Sequence, residues 1–457
     1  MSGNGTRGEE LATLETLVRR LAEAARPGEQ VEAYAVHRSD VDVEVFDSSV
    51  ESLSAAEIAG VGVRVVRDHR QGFAYAGVID DATAAEVLAD ARDNAGYGTP
   101  DDALGLPRPD EVGMPAEIDL ASEAFAALDT QAKVALALEL EAATLAADPR
   151  IRTVESASYG DADVHVAIAN SHGVTASQHR TVASVSAVAI AEDEAGPQTG
   201  FGYDIARDPA ALDLAPVAAE AAERATRMLG ATQPKSQRVP VLLDTFVVQS
   251  LLGVIAGTLN GETVLKGRSI FGDRVGDAIA SPVVTLVDDP TDVLAFGASR
   301  FDAEAVATRR NELVSAGQLA GFVHNCWTAV RLGTVTTGSA ARASYKSTPG
   351  VGTSNFGLEP GVESTADLLR RADGGVFIQT LHGLHSGVNP VSGDFSVGID
   401  GLWIRDGALG EPVREATIAS TLQRMLLDVV AVGAEVRRLT SGPAVPVLLG
   451  EMTLAGQ

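Results

Sequence analysis

Leu384-His385-Ser386-Gly387-Val388-Asn389-Pro390-Val391-Ser392-Gly393-Asp394-Phe395-Ser396 is the densest stretch of the chain. Gly387, Pro390 and Gly393 punctuate the backbone, while Asn389, Ser392, Asp394 and Ser396 set polar groups at close spacing. Phe395 and Val397 then open a strand-like alternation. A loop built this way is a site or the wall of one, lying between two short strands, Val376 to Thr380 and Ser396 to Ile404. The same texture extends outward. Glycine is frequent, and short strands recur at Val239 to Leu243, Val283 to Val287 and Leu319 to His324. Only Thr245 to Leu259 and Ile418 to Val436 read as long helices. The second half is therefore expected to be a mostly antiparallel β domain with two packed helices.

Gln233-Pro234-Lys235-Ser236-Gln237 is the best linker, dividing the chain into domains 1–235 and 236–457. Upstream of it, Glu9 to Ala25 carries Leu11, Leu14, Leu17, Val18 and Leu21 at helical spacing and stops at Pro27-Gly28. Val31 to His37 and Val41 to Phe46 read as strands turning at Ser39-Asp40, and a second hairpin, Gly60 to Val66 with Gly72 to Val78, turns at Asp68 to Gln71. Ala82 to Asn94, Thr130 to Ala147 and Pro209 to Leu229 read as helices, and residues 99–117, rich in Pro and Asp, as an ordered loop or internal linker. Ile151 to Tyr159, Ala162 to Ala169 and Thr181 to Ala191 read as strands, with a turn at Asn170 to Gly173. Strands in adjacent hairpins favour α+β over a doubly wound parallel sheet.

At 457 residues the chain is too long for one core, and two domains is the natural expectation. Aromatics make up only 4%, so the cores rest on Val, Leu, Ile and Ala. Residues 1–235 hold 18 Lys+Arg against 40 Asp+Glu, net −22, and residues 236–457 hold 17 against 22, net −5. The acidic first half repels nucleic acid and anionic membrane; it serves solubility or docks a basic partner. One cysteine, Cys326, excludes an intramolecular disulfide framework and a multi-cysteine zinc site. Met1 to Arg7 has no apolar signal-peptide core. Thr245 to Leu259 contains Gln249 and falls short of the ~20 residues of a membrane span. A soluble, cytoplasmic protein is expected.

Standard catalytic patterns are missing. Pro390 and Asp394 fill the glycine slots of a G-x-S-x-G elbow around Ser392, and there is no P-loop, dinucleotide fingerprint or H-E-x-x-H. His382 and His385 form the only H-x-x-H pair, in a Gly-rich loop without a third ligand, so hydrogen bonding in the loop or toward a bound peptide is the better reading. Cys326 beside Trp327 reads as a buried small hydrophobe rather than a nucleophile paired with His324. His165, His172 and His179, seven residues apart, read as surface or turn residues separated in space.

The run Gly387 to Ser396 resembles the C-terminal signature of the TldD/PmbA family of modulators of DNA gyrase. Ser269-Ile270-Phe271-Gly272-Asp273-Arg274-Val275-Gly276 looks like the family's S-x-F-x-x-x-x-G segment, and Gly401-Leu402-Trp403-Ile404-Arg405-Asp406-Gly407 like its closing strand. Phe301 to Thr308 looks like its D-x-E-G-x-x-T segment, with Ala305 in the glycine slot. The resemblance runs over essentially the whole chain and is strongest from about Val239 to Val436. It implies a heterodimeric metalloprotease acting on peptides or unfolded chains. The TldD-type subunit would carry zinc on an H-E-x-x-x-H helix and a C-terminal cysteine, and the PmbA/TldE-type subunit would lack these ligands.

Counted back from Ser269, the metal helix would begin near Leu252, where the chain reads Leu251-Leu252-Gly253-Val254-Ile255-Ala256-Gly257. Pro443 to Glu451 has no cysteine. The resemblance thus implies a PmbA/TldE-type subunit with no catalytic residue and no metal of its own, zinc being held by a TldD-type partner. His385, Ser386, Gly387, Asn389, Ser392, Gly393, Asp394 and Ser396 would line its peptide channel; the bland alternative is a turn that holds the β domain together through Asp394. A stand-alone homodimeric peptide-binding protein, or a hydrolase using Cys326 or His382 and His385, is the rival.

Overall fold

The computed structural model describes residues 7–194 and 196–457; residues 1–6, part of the segment read above for a signal peptide, lie outside them. The fold is α+β, with antiparallel strands in the first half and a β-rich second half. Helix α1 (Arg7–Glu23) precedes strands β1 (Glu29–Phe46), β2 (Ser49–Arg67) and β3 (Arg70–Ala76). Helices α2 (Asp81–Tyr97) and α3 (Thr130–Ala147) lead to β4 (Ile151–Asn170), β5 (Thr175–Asp193) and β6 (Gly196–Ala206), and α4 (Leu214–Thr226) follows. The strands form one antiparallel sheet in the order β3-β2-β1-β4-β5-β6.

Four of these strands run 18 to 20 residues, about twice what was expected. Neither Ser39-Asp40 nor Gly160-Asp161 turns the chain; β1 and β4 pass straight through both. The chain reverses at Asp47-Ser48 and Asp68-His69, where both residues of each pair have positive φ, the backbone of a tight hairpin turn. The polar residues at mid-strand have a different cause. Leu14, Leu17 and Leu21 of α1, with α2, cover an apolar patch that includes Val31, Ala33 and Ala167. Helices α3 and α4 cover a second patch on the same face that includes Val43, Val45 and Tyr159. Between the patches the face is polar. Lys133 Nζ of α3 lies 2.6 Å from Asp161 Oδ2, which also accepts from Tyr159 OH at 2.8 Å.

The histidines depart from expectation in the same band. His165 is 2% exposed and stands in register with His37 on β1 and His179 on β5. The His165 and His179 rings stack at 4.1 Å. The turn at 170–173 brings these residues together instead of separating them; only His172 sits at the turn.

In the second half, β7 (Gln237–Leu243) pairs in parallel with Val376–His382 and antiparallel with Val447–Ala455. Val376–His382 continues to Asp394–Arg405 and then Ala408–Thr421, whose Thr417–Ala419 returns to pair with Val447–Ala455 and closes the ring. Helix α5 (Thr245–Thr258) packs Val248, Leu251, Leu252 and Ile255 into the apolar core of these strands. The expected helix Ile418–Val436 is instead the end of a strand, a six-residue helix Leu422–Leu427 capped by Thr421, and the strand Val429–Val432. Its apolar residues mimic a helical stripe because Ile418, Leu422, Met425, Leu426, Val429 and Val432, spread over the three pieces, all face the same core. Of the expected strand Leu319–His324 only Leu319 is in a strand, the two-residue Gln318–Leu319, and Pro209–Leu229 is a short 3₁₀ turn followed by α4. Among the described residues no helix is long and apolar enough to cross a membrane.

Candidate functional site

The loop singled out in the sequence joins two neighbouring strands of the ring. Leu384–Gly387 makes one helical turn, and the chain folds back so that Val388 bridges to Phe395. Asn389 organises the reversal. Its Oδ1 accepts from Val391 N (3.0 Å) and Ser392 N (3.3 Å), an Asx turn, and its backbone exchanges bonds with Asp394 and Gly393. Ser392 Oγ donates to Asp394 Oδ2 at 2.6 Å. Gln423 Nε2 donates to the Ser392 carbonyl at 3.2 Å and Leu422 N to that of Gly393 at 2.8 Å, fixing the loop to the next helix.

Two glycines are required here. Gly393 has φ +86°, and a Cβ on Gly387 would lie 2.1 Å from the Ser396 carbonyl oxygen. Asn389, Ser392, Asp394, Ser396, His385 and Ser386 are nonetheless exposed. The loop is a rigid, solvent-facing rim of hydroxyl and amide groups, in which the internal turn and an outward polar surface coexist. His382 and His385 are not a ligand pair: His382 Nε2 lies 2.7 Å from Asp400 Oδ2, and that hydrogen bond raises the His382 pKa.

A second polar cluster, which the sequence reading passed over, lies where the first sheet meets the second half. Arg64 of β2 donates from Nη2 to Glu32 Oε2 (2.7 Å) and Glu304 Oε1 (3.1 Å), and Arg342 also donates to Glu32. All four side chains are 5% exposed or less. Burial opposes charge on Arg64, but Glu32 and Glu304 outweigh it and hold the guanidinium above its ordinary value. The D-x-E segment supplies the anchor. Asp302 accepts from the backbone N–H groups of Glu304, Val306 and Ala340, and Glu304 Oε2 accepts from Cys326 N at 2.8 Å. Burial, then Glu304, raises the Asp302 pKa.

Burial and Glu304 also push the Cys326 thiol far above its ordinary value, so it stays protonated and is a poor nucleophile. His324 is buried, with Nδ1 3.4 Å from Thr328 Oγ1, and burial lowers its pKa. Beside this cluster opens a cleft lined by Arg64, Asp101, Asn325, Trp327 and Arg331, in which Trp327 Nε1 donates to Asp101 Oδ2 at 2.9 Å. The Gly387–Ser396 rim is not part of that cleft. The sequence signal for the cluster was Asp302-x-Glu304 itself, which was matched as a pattern and not read as a pair of buried charges needing cations.

A helix-backed antiparallel sheet joined by a buried ionic staple to a ring of strands, with a stiff glycine-hinged rim, matches one class of protein. Sequence profiles of three consecutive units match in order: PmbA/TldA metallopeptidase domain 1 over residues 31–95, the central domain over 123–229 and the C-terminal domain over 236–456. The chain belongs to the PmbA/TldD/TldE family of metallopeptidases. It is 27% identical over 419 residues to the metalloprotease PmbA of Escherichia coli O157:H7, covering 91% of this chain and 90% of that one. It is 27% identical over 370 residues to the TldD homologue of Haemophilus influenzae, covering 79% and 76%. A Thermotoga maritima structure described as a modulator of DNA gyrase superposes with a TM-score of 0.89 at 25% identity, covering 96% of this chain and all of that one.

Proposed function

We propose that this chain is the TldE-like subunit, without the catalytic zinc, of a cytoplasmic heterodimeric zinc metalloprotease that processes peptides or unfolded chains, with residues 236–457 forming the unit that meets the substrate. The observation that carries this reading is α5. The family description implies a metal, and the resemblance puts its helix here. Thr245–Thr258 contains no His, Cys, Asp or Glu, and Leu251, Leu252 and Ile255 line a purely apolar cavity with Leu243, Val284 and Met425. A charged ion with its activated water does not fit among these side chains, so no catalytic step is assigned to a metal on this chain.

What the chain offers is positioning. The Gly387–Ser396 rim presents the Asn389 amide and the Ser396 hydroxyl on a backbone already fixed by its own turn, which suits hydrogen bonding to an extended peptide at little entropic cost. His385, Ser386, Ser392 and Asp394 extend that rim, and Gly387 and Gly393 set its path. The TldD-type partner would hold the zinc.

Asn389→Asp tests the channel role. It keeps the Oδ1 that caps Val391 and Ser392 and replaces the outward amide donor by a charged acceptor oxygen. In a co-purified pair with a TldD-type subunit, a loss of peptidase activity with assembly intact supports the reading, and unchanged activity removes the rim from the channel. Peptidase activity of the isolated chain would overturn the subunit assignment itself.

A further inference from the structure

The polar band on the helix-bearing face of the first sheet is a second place where ligand atoms converge, unconnected with α5. Three histidines lie side by side on adjacent strands, His37 on β1, His165 on β4 and His179 on β5. Glu10, near the start of α1, reaches down between the first two: its Oε2 lies 3.6 Å from His37 Nδ1 and 3.6 Å from His165 Nδ1. The three donor atoms lie within 4.8 Å of one another. Asp163 Oδ1 is 3.7 Å from the same His165 nitrogen and 2.7 Å from His179 Nε2.

These separations fit a shared cation better than direct bonds. At 3.6 Å the atoms are too far apart for a hydrogen bond between them. A tetrahedral ion with bonds of 2.0–2.1 Å holds its ligand atoms about 3.3 Å apart, so each histidine need approach Glu10 by only a few tenths of an ångström, with the two imidazole nitrogens starting within 4.8 Å of each other. The outer contacts agree. His37 Nε2 lies 2.8 Å from Glu57 Oε1, and in donating its proton there the ring keeps the Nδ1 lone pair turned toward Glu10. A metal-binding imidazole is ordinarily oriented by a carboxylate on its far nitrogen in this way. His179 bonded to Asp163 gives the carboxylate beside His165 the same kind of support.

We propose that Glu10, His37 and His165 bind a divalent first-row transition ion such as Zn²⁺, with solvent as fourth ligand, Glu57 orienting His37 and the Asp163–His179 pair flanking His165. Two imidazoles and a carboxylate are the donors such an ion prefers, and Mg²⁺ or Ca²⁺ would want more oxygens. The role is structural. Glu10 belongs to α1 and both histidines to the sheet, so the ion pins the helix across the seam between the two apolar patches.

The test uses the untagged full chain, stripped with a chelator and dialysed against buffered Zn²⁺, with Co²⁺ absorption reporting coordination. The expected result is one ion per chain with a tetrahedral Co²⁺ spectrum. Glu10→Gln and His37→Gln should each weaken binding by about 10-fold or more. His69→Gln, on the exposed β2–β3 turn, should leave it unchanged. Because His165 is buried and its replacement could unfold the sheet, the two variants at the rim of the site are the decisive ones. Absence of saturable binding, or binding that Glu10→Gln and His37→Gln both leave intact, overturns the assignment. Peptidase activity plays no part in the readout, so the result stands apart from the subunit role.

Discussion

Replacing Arg64 by Met tests whether the ionic staple holds the two halves together. Arg64 makes two charge-assisted bonds, to Glu32 and Glu304, with all three groups almost fully buried. Met fills much of the space without the charge. Glu32 keeps Arg342, so Glu304 is the carboxylate left without a cation. Charge-assisted bonds contribute about 1.5–3 kcal/mol each, and removing one partner of a buried pair costs about 3–5 kcal/mol. Neutralising a carboxyl of ordinary acidity at pH 7 costs about 3.7 kcal/mol, which sets the same scale by a separate route.

The expected loss is therefore about 4 kcal/mol at pH 7, a large share of the 5–15 kcal/mol that folded domains possess. The assay is urea unfolding followed by tryptophan fluorescence, with Trp327 beside the cluster as reporter. Adding Glu304→Gln to Arg64→Met should restore about half of the loss, because Gln still accepts from Cys326 N while carrying no charge. A loss below about 1 kcal/mol for Arg64→Met, or no recovery in the double variant, would refute the reasoning.

Three further outcomes are expected. Ala305 sits at φ +63°, where strain of about 1–2 kcal/mol offsets the burial of its methyl and the added chain entropy of glycine, so Ala305→Gly should shift stability by less than about 1 kcal/mol, whereas Ala305→Val should cost more than about 2 kcal/mol in the same urea assay. Gly387→Ala forces a Cβ against the Ser396 carbonyl and should cost about 1–3 kcal/mol, seen as faster hydrogen exchange confined to the rim; uniform exchange across the ring would contradict it. Burial, despite hydrogen bonds from Asn355 N and Ser354 N, pushes Asp288 up to about 6; a raised carboxyl favours the folded state below pH 4 and loses that contribution as pH rises through 6, so wild type should lose about 3 kcal/mol relative to Asp288→Asn over that window, and parallel pH profiles would sink the assignment.

Much of the second half was legible because glycine, proline and Asx residues fix backbone geometry locally. The reversal at Asn389, the α5 helix and the strands on either side of the rim follow from a few neighbouring residues. The long strands were harder to read. Ser39-Asp40 and Gly160-Asp161 carry turn-forming residues, yet both lie inside continuous ladders with neighbouring strands, and Asp161 is there for Lys133. Ile418–Val436 misled for the converse reason: a strand end, a short helix and a second strand together spell a helical apolar pattern.

The histidine ladder could have been found. With the loop taken as residues 170–174, centred on His172, residues equidistant from that centre must face each other, and His165 and His179 both lie seven positions from it. That His37 joins them depends on the pairing of β1 with β4, across more than a hundred residues, which no local pattern announces. The rim's exposed polar groups were likewise visible in the sequence, whereas the distant partners of Asp302 and Glu304 are Arg64 of β2 and the backbone N–H groups of Ala340 and Cys326.

Strands β1, β4 and β5 each run beneath both helix pairs, and β1 is hydrogen-bonded along nearly its whole length to β2 on one side and β4 on the other. The stretches 31–95 and 123–229 are therefore separate in sequence but not in mechanics. Melting one apolar patch would strip half of every ladder that supports the other, so the region 7–226 should open as one cooperative unit with a single exchange threshold. Cutting the chain in the loop near residue 110 would then yield fragments that refold only by complementing each other, each supplying strands that the other cannot replace.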